Sequence, residues 1–410
     1  MLQALRIRDF RLLWAGGLVS ALGSWLLMLA IPAHIFLATR SLRATGLTLA
    51  AEYLPMLVLG PVAGVFADRW DRRRLMIATD LLCAAAVAAM LLGTPPGRYW
   101  VLYLALIAEN SGFVLYAPAW QARTPAIVGT GPMLSSANTL NSVSSGTVRL
   151  IGGPLGGILL AAYGARWLIC ADALSYLLSA AAMFMTSAAD SKPADRKTTI
   201  GDVTRDLIAG ARVLRRQPVT RALLPVMVIY LAANASLSAV LIPLGLQRLG
   251  GSEHTGFLLA FLGAGFLIGA PVIRALLDRV QPRNLLAASL TATAAAYFLL
   301  FTSSSLTSAL PAAAAIGTFG SMSLVIPQTA MQRAIPNAAL GRVSAVFLTG
   351  EAAATLTGAA AGPFLAQAAH FTGVATAASL ATLSAAVLAF RTVPRMPAII
   401  AGRPVAGPDR

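Results

Sequence analysis

The stretch GPVAGVFADRWDRRRLM, residues 60–76, returns as APVIRALLDRVQPRNLL, residues 270–286. At an offset of 210 residues Pro61 pairs with Pro271, Asp68 with Asp278, Arg69 with Arg279, Arg73 with Arg283 and Leu75 with Leu285. In each copy an apolar run leads in, a short turn carries the charges, and a second apolar run leads out. Arg123 pairs with Arg333 at the same offset, and GGPLGG around Pro154 answers AGPFLA around Pro363 one residue off it. A chain built from two copies of one apolar unit is the sequence mark of a secondary transporter, with substrate held between the copies near the middle of the membrane.

Outward from these copies the chain is a series of runs near the 20 apolar residues that cross a bilayer. They fall at roughly 11–37, 46–66, 75–93, 99–120, 136–162, 166–187, 220–247, 255–276, 284–303, 306–331, 341–369 and 371–390. The fold expected is all-α and integral to the membrane, with twelve transmembrane helices in two pseudo-symmetric six-helix halves. The first run is expected to remain as a span, not to be cleaved as a signal peptide, because no small-residue cleavage site followed by a soluble domain comes after it. Of 410 residues 57% are apolar and 11% charged, against about 25% charged in soluble domains. Mean hydropathy is +0.74. This excludes a soluble enzyme and a disordered chain. Residues 188–218 form the one long polar stretch, so the expected organisation is 1–187, a 188–218 linker, and 219–410. In the linker Ile200, Val203, Leu207, Ala211 and Leu214 recur at helical spacing. They predict an amphipathic helix, either on the membrane face or packed on the protein.

The net charge of +16 tests the span count. With both termini cytoplasmic, the inner segments hold 25 of the Lys and Arg residues and the outer segments five, Arg40, Arg43, Arg98, Arg166 and Arg248. That is the positive-inside pattern. The same division among short turns argues against nucleic acid as a partner. Two cysteines, Cys83 and Cys170, and three scattered histidines supply no disulfide framework and no metal cluster. No cofactor is expected, and no metal site.

The turn G64-V-F-A-D68-R69-W-D-R72-R73-R74 resembles the G-x-x-x-D-R-x-G-R-R signature of the major facilitator superfamily, with Asp71 where most members have Gly. The segment D206-L-I-A-G-A-R-V-L-R-R-Q-P and Arg149 ahead of GGPLGG resemble one branch, which holds siderophore exporters, macrolide-type drug exporters and a lysophospholipid transporter. The resemblance implies a cytoplasmic latch of Asp68 with Arg123, and a weaker copy of Asp278 with Arg333. Arg69, Arg72 and Arg73 fall on one side of the following helical turn, and Arg279 repeats Arg69. Gly153, Pro154 and Gly157 match a helix-packing G-P-x-x-G of the superfamily's exporters, although Arg149 stands where the longer motif has Gly. Set against these readings, the charges could serve only topology and the glycines only close packing.

An ionisable group inside a span is costly and is a functional candidate. Glu52, Asp80, Glu109, Arg149, Asp172 and Glu351 qualify. Glu109 and Arg149 lie about 5 Å apart in depth at 1.5 Å per residue, so they could pair, or Arg149 could tune a proton-carrying Glu109. Glu351 is similarly deep. For Glu52, Asp80 and Asp172 a structural hydrogen bond to a neighbouring helix is the better expectation. By the resemblance the first, fourth, seventh and tenth spans line the cavity. Polar residues there and on the fifth span, among them Asn110, Asn138, Asn141, Asn234 and Gln328, are binding candidates, with interhelical hydrogen bonding as the alternative. No GxxxxGK[ST] loop exists for ATP, and no HExxH, GxSxG or His/Asp cluster for catalysis. The expected function is therefore a secondary exporter of a bulky amphipathic small molecule, with proton antiport, working as a monomer in the cell membrane. A lipid flippase or importer of the same fold is the alternative, and an enzyme or receptor is disfavoured.

Overall fold

A computed structural model describes residues 2–129, 132–187, 200–250, 252–276, 279–335 and 337–395. A short 3-10 turn, Leu2–Arg6, precedes twelve helices: α1 Arg8–Thr39, α2 Leu42–Arg69, α3 Arg72–Gly93, α4 Tyr99–Val128, α5 Pro132–Tyr163, α6 Ala165–Phe184, α7 Ile200–Arg216, α8 Pro218–Arg248, α9 Ser252–Leu276, α10 Pro282–Thr302, α11 Leu306–Ala334 and α12 Asn337–Thr392. The last two apolar runs both lie in α12, which is broken by non-helical residues at Ala369 and His370. Ten of the described helices are long and apolar enough to cross a membrane. That number counts α12 once and does not include α5 or the linker helix α7.

Local chemistry sets the boundaries. Ser41 caps α2 by accepting the Ala44 N–H at 3.2 Å. Asp71 caps α3 by accepting the Arg74 N–H at 2.8 Å. The residue that departs from the superfamily signature is thus a helix N-cap, one of the preferred residue types there. Pro218 and Pro282 open α8 and α10 at positions that need no N–H donor. Gly164 joins α5 to α6 in a single residue, at φ 77°, where a side chain would be strained.

Apart from the amphipathic linker helix α7, the long helices carry apolar residues on their outer faces as well, where Leu92, Trp100, Phe113, Trp167, Phe184 and Leu299 point outward. A helix apolar all round belongs in a core or in lipid. Inside, buried apolar residues gather into one cluster from α7–α12 and two from the residues up to α6. The first group meets the second through α2 on α12 and α5 on α9. At the first contact the Arg43 guanidinium lies 4.7 Å over the Phe364 ring, and Gly46 fits against Pro363. In the linker, α7 packs on α8 and α12 and buries Leu214 in the second group's core, while Ile208 faces outward. The side chains of Val203 and Leu207 lie outside the description.

Small residues let backbones touch where no hydrophobic effect drives helices together. A side chain at Gly317 on α11 would collide with the Leu262 carbonyl of α9, and one at Gly265 on α9 with the Ala314 carbonyl of α11. Gly358 and Gly362 face the Ala232 and Ser236 carbonyls of α8 in the same way. Backbone cannot yield as a flexible side chain does. We expect Gly317→Val to destabilise the protein by about 1–3 kcal/mol or more, read as a lower melting temperature in detergent. An unchanged melting temperature would show that α9 and α11 do not pack this closely.

Candidate functional site

The site is built on the buried stripe of α4. Leu102, Ala105, Leu106, Glu109 and Gly112 follow one another at helical spacing on that face, so Glu109 points into the protein and is only 7% exposed. Facing it, α6 presents a second stripe of Asp172, Ser175, Tyr176 and Ser179, all buried. The Tyr176 hydroxyl and Glu109 Oε1 stand 3.1 Å apart, at hydrogen-bond distance. Ser24 of α1 stands 2.9 Å from that same hydroxyl. From α3, the Cys83 thiol donates to the Glu109 main-chain carbonyl at 3.3 Å. Gly112 leaves the room for that sulfur.

Three more acids surround this centre. Asp80 accepts the Ser179 hydroxyl at 2.7 Å, joining α3 to α6. Asp172 is fully buried and takes the Ser175 hydroxyl of its own helix at 3.0 Å. Gly23 of α1 lies against Asp172 Oδ1. Glu52 on α2 is half-buried, and Glu109 is the ionisable group that acts on it. Among the described residues the ion pair present is Arg8–Asp9, at the protein's end, and no described cation pairs with these four carboxyls. The site can therefore hold and exchange protons among oxygen groups. Among the described residues no cluster of metal-ligating side chains occurs.

The other sequence candidates fall in different places. Asn110 donates to the Leu106 carbonyl of its own helix at 3.0 Å. Asn234 on α8 accepts the Tyr297 hydroxyl of α10 at 2.6 Å. Asn141 and Glu351 are half-buried, and Asn138 and Gln328 are exposed. The side chain of Arg149 lies outside the description, as do those of Asp68, Arg69 and Arg333, residue Asp278, and the packing of Gly153, Pro154 and Gly157.

Arg123 is fully buried and grips the end of α6. Its Nη2 donates to Thr186 Oγ1 at 2.8 Å and to the Ser187 carbonyl at 2.9 Å. Arg73 donates to the Met183 carbonyl at 3.2 Å and also to that of Phe184, and its guanidinium lies 5.3 Å over the Phe184 ring. Arg8 donates to the Met185 carbonyl at 3.1 Å, and Asp9 accepts the Ser187 N–H at 2.9 Å. Cations at the unpaired carbonyls of a helix C-terminus are favourable. These groups tie α1, α3, α4 and α6 together at one end of the protein. In the second group Arg283 lies 5.0 Å over the Phe390 ring, repeating the Arg73–Phe184 contact. Arg279 is exposed and Arg72 half-buried.

Tyr176 and Ser24 were not among the sequence candidates. The spacing 172, 175, 176, 179 of polar residues in an otherwise apolar helix is the signal that would have marked the first. Ser24 carries no such signal, because only the approach of α1 to α6 brings it to the site.

Residues 1–403 match the transmembrane secretion effector family of the major facilitator superfamily. The chain is 27% identical over 358 residues to the enterobactin exporter EntS of Escherichia coli, covering 84% of this chain and 82% of the relative. It is 26% identical over 284 residues to macrolide efflux protein A of Streptococcus pyogenes, covering 68% of each. Among solved structures, a bacterial homologue of the iron transporter ferroportin in its inward-facing state superposes with a TM-score of 0.74 at 16% identity, covering 95% of this chain and 99% of that one. A D-xylose–proton symporter superposes with a TM-score of 0.72, also at 16% identity, covering 95% and 98%.

Proposed function

Because the chain belongs to the transmembrane secretion effector family of the major facilitator superfamily, we propose that it is a proton-coupled exporter of a bulky amphipathic small molecule, working by alternating access. It is a multi-pass membrane transporter and not an enzyme. The observation that carries the coupling is Glu109, an acid buried at about 15 Å from the start of α4, by its ten-residue distance and the helical rise, and held by Tyr176. An acid so placed gains and loses a proton only when water reaches it from one side. Export is supported by relatives named for macrolide efflux and enterobactin export.

In this reading twelve spans form two six-helix halves, residues 1–187 and 219–410, joined by the 188–218 linker. The halves rock along the α2–α12 and α5–α9 contacts. Both termini are cytoplasmic, so the arginine grip on α6 lies at the cytoplasmic end. Asp68 with Arg123, and Asp278 with Arg333, latch that end, with Arg69, Arg72, Arg73 and Arg279 beside them. Gly153, Pro154 and Gly157 let α5 approach its neighbours. Asn110, Asn138, Asn141, Asn234, Gln328, Arg149 and Glu351 contribute to the substrate path, and the protein works as a monomer.

The test is growth inhibition in a bacterial host lacking its own efflux pumps, with and without this chain, across macrolides, siderophores and cationic dyes. The expected result is raised tolerance to some amphipathic compounds, abolished by a proton uncoupler. Tolerance that survives the uncoupler would overturn proton coupling. No change for any compound, with the protein present in the membrane, would overturn the substrate class.

A further inference from the structure

Ser24, Tyr176 and Glu109 stand in a row that ends on a main-chain carbonyl. Ser24 Oγ is 3.1 Å from the Ser20 carbonyl oxygen and 2.9 Å from the Tyr176 hydroxyl, and that hydroxyl is 3.1 Å from Glu109 Oε1. Each of these three contacts needs one hydrogen. A serine and a tyrosine hydroxyl bring one each, and a carbonyl brings none. Two hydrogens cannot fill three contacts. The third can come only from the carboxyl.

With a proton on Glu109 every contact is filled. Glu109 donates to Tyr176, Tyr176 to Ser24, and Ser24 to the Ser20 carbonyl. Without it, Tyr176 turns its hydrogen to the carboxylate and Ser24 must choose. It can donate to Tyr176 and abandon the carbonyl, or keep the carbonyl and leave two oxygens facing each other at 2.9 Å. We propose that this conformation is the one in which Glu109 holds its proton, and that Ser24 is a positioning residue through which α1 senses that proton by way of Tyr176. In deprotonation one O–H bond breaks, that of Glu109, and the proton leaves to water. The other two hydrogens only rotate. The bond surrendered lies between α1 and α6 or within α1, helices that pack along each other.

The groups facing Glu109 are Glu52 from α2, Cys83 from α3, and Asp172 and Tyr176 from α6. From α1 the Ser24 hydroxyl meets Tyr176 and reaches Glu109 only through it, and on α5 the side chain of Arg149 is outside the description.

The inference rests on the reading of Glu109 as proton carrier, and its test needs no substrate. The full-length protein is placed in liposomes, and the carboxylic-acid C=O stretch that Glu109→Gln removes is followed by infrared spectroscopy between about pH 4 and 9. Ser24→Ala costs the protonated form two contacts and the ionised form one. It is expected to raise the proton concentration at half-amplitude about three- to tenfold, the worth of one hydrogen bond. Ser24→Thr keeps the hydroxyl and should restore the wild-type titration. In a Tyr176→Phe background Ser24→Ala should have no effect, because the link is already cut. A Ser24→Ala titration that coincides with wild type overturns the proposal. So does a shift of equal size in the Tyr176→Phe background, or the absence of any titrating Glu109 band. The two readings fail separately. If Glu109→Gln still exports on a proton gradient, the coupling role falls and this inference with it. If Glu109→Gln uncouples export but Ser24→Ala leaves the titration in place, only the Ser24–Tyr176 link falls.

Discussion

Glu109→Gln is expected to abolish the dependence of transport on a proton gradient while leaving the protein folded. The amide has nearly the shape of the carboxyl, and its NH2 can donate to the Tyr176 hydroxyl, which stands 3.1 Å from Glu109, as the protonated acid does. The buried stripe of α4 therefore keeps its packing. What is lost is the exchangeable proton. For one-to-one exchange each pH unit of gradient is worth about 1.4 kcal/mol, or a tenfold substrate ratio across the membrane. The variant should sustain none of that ratio, while substrate still equilibrates down its own gradient. Dye or macrolide flux in proteoliposomes with an imposed pH difference reads this directly. Retention of the tenfold ratio per pH unit would remove Glu109 from the coupling path and move attention to Asp172, Asp80 or Glu52.

Arg123→Ala is expected to produce the largest loss of stability among single changes at the arginine-rich end. The side chain is fully buried. It spans from α4 to Thr186 and Ser187 just beyond α6. Hydrogen bonds to a charged group are each worth about 1.5–3 kcal/mol. Their removal also leaves the end of α6 without that cation. We expect a cost of about 3 kcal/mol, seen as a lower melting temperature in detergent. Arg123→Lys should recover part of it, since an ammonium keeps the charge but sits on a different stem from the Nη2 that reaches both acceptors. If Arg123→Ala melts with the wild type, the contacts to Thr186 and Ser187 do not hold α6 in place.

The architecture was legible because its causes are local or periodic. Apolar runs, the repeated Asp-Arg turn and the division of arginines among turns are properties of one dimension, and lipid imposes them on any chain that crosses it. Residues Ile200–Arg216 of the linker form a helix, and of the expected stripe Leu214 is buried. Glu109 was also visible, because an acid in an apolar run stands out. The last two runs were read as separate spans meeting at residue 370, and α12 divides into two helices there, at the non-helical residues Ala369 and His370.

The neighbours of Glu109 were decided by tertiary structure alone. Tyr176 and Ser24 lie 67 and 85 residues away from it, and each is an ordinary residue in its own helix. Which hydroxyl meets which carboxyl depends on how α1, α4 and α6 are rotated about their axes. That rotation is set by packing, through glycines such as Gly23 against Asp172 and Gly112 against Cys83. Arg123 shows the same division. Its place near the end of a span could be read from charge, but that it is buried within α4 and grips Thr186 and Ser187 depends on where α6 ends in space. Periodicity and charge order a chain along the membrane normal, where water and lipid differ. Within the membrane plane every direction is equally apolar, so only the contact of one helix surface with another can choose the partners.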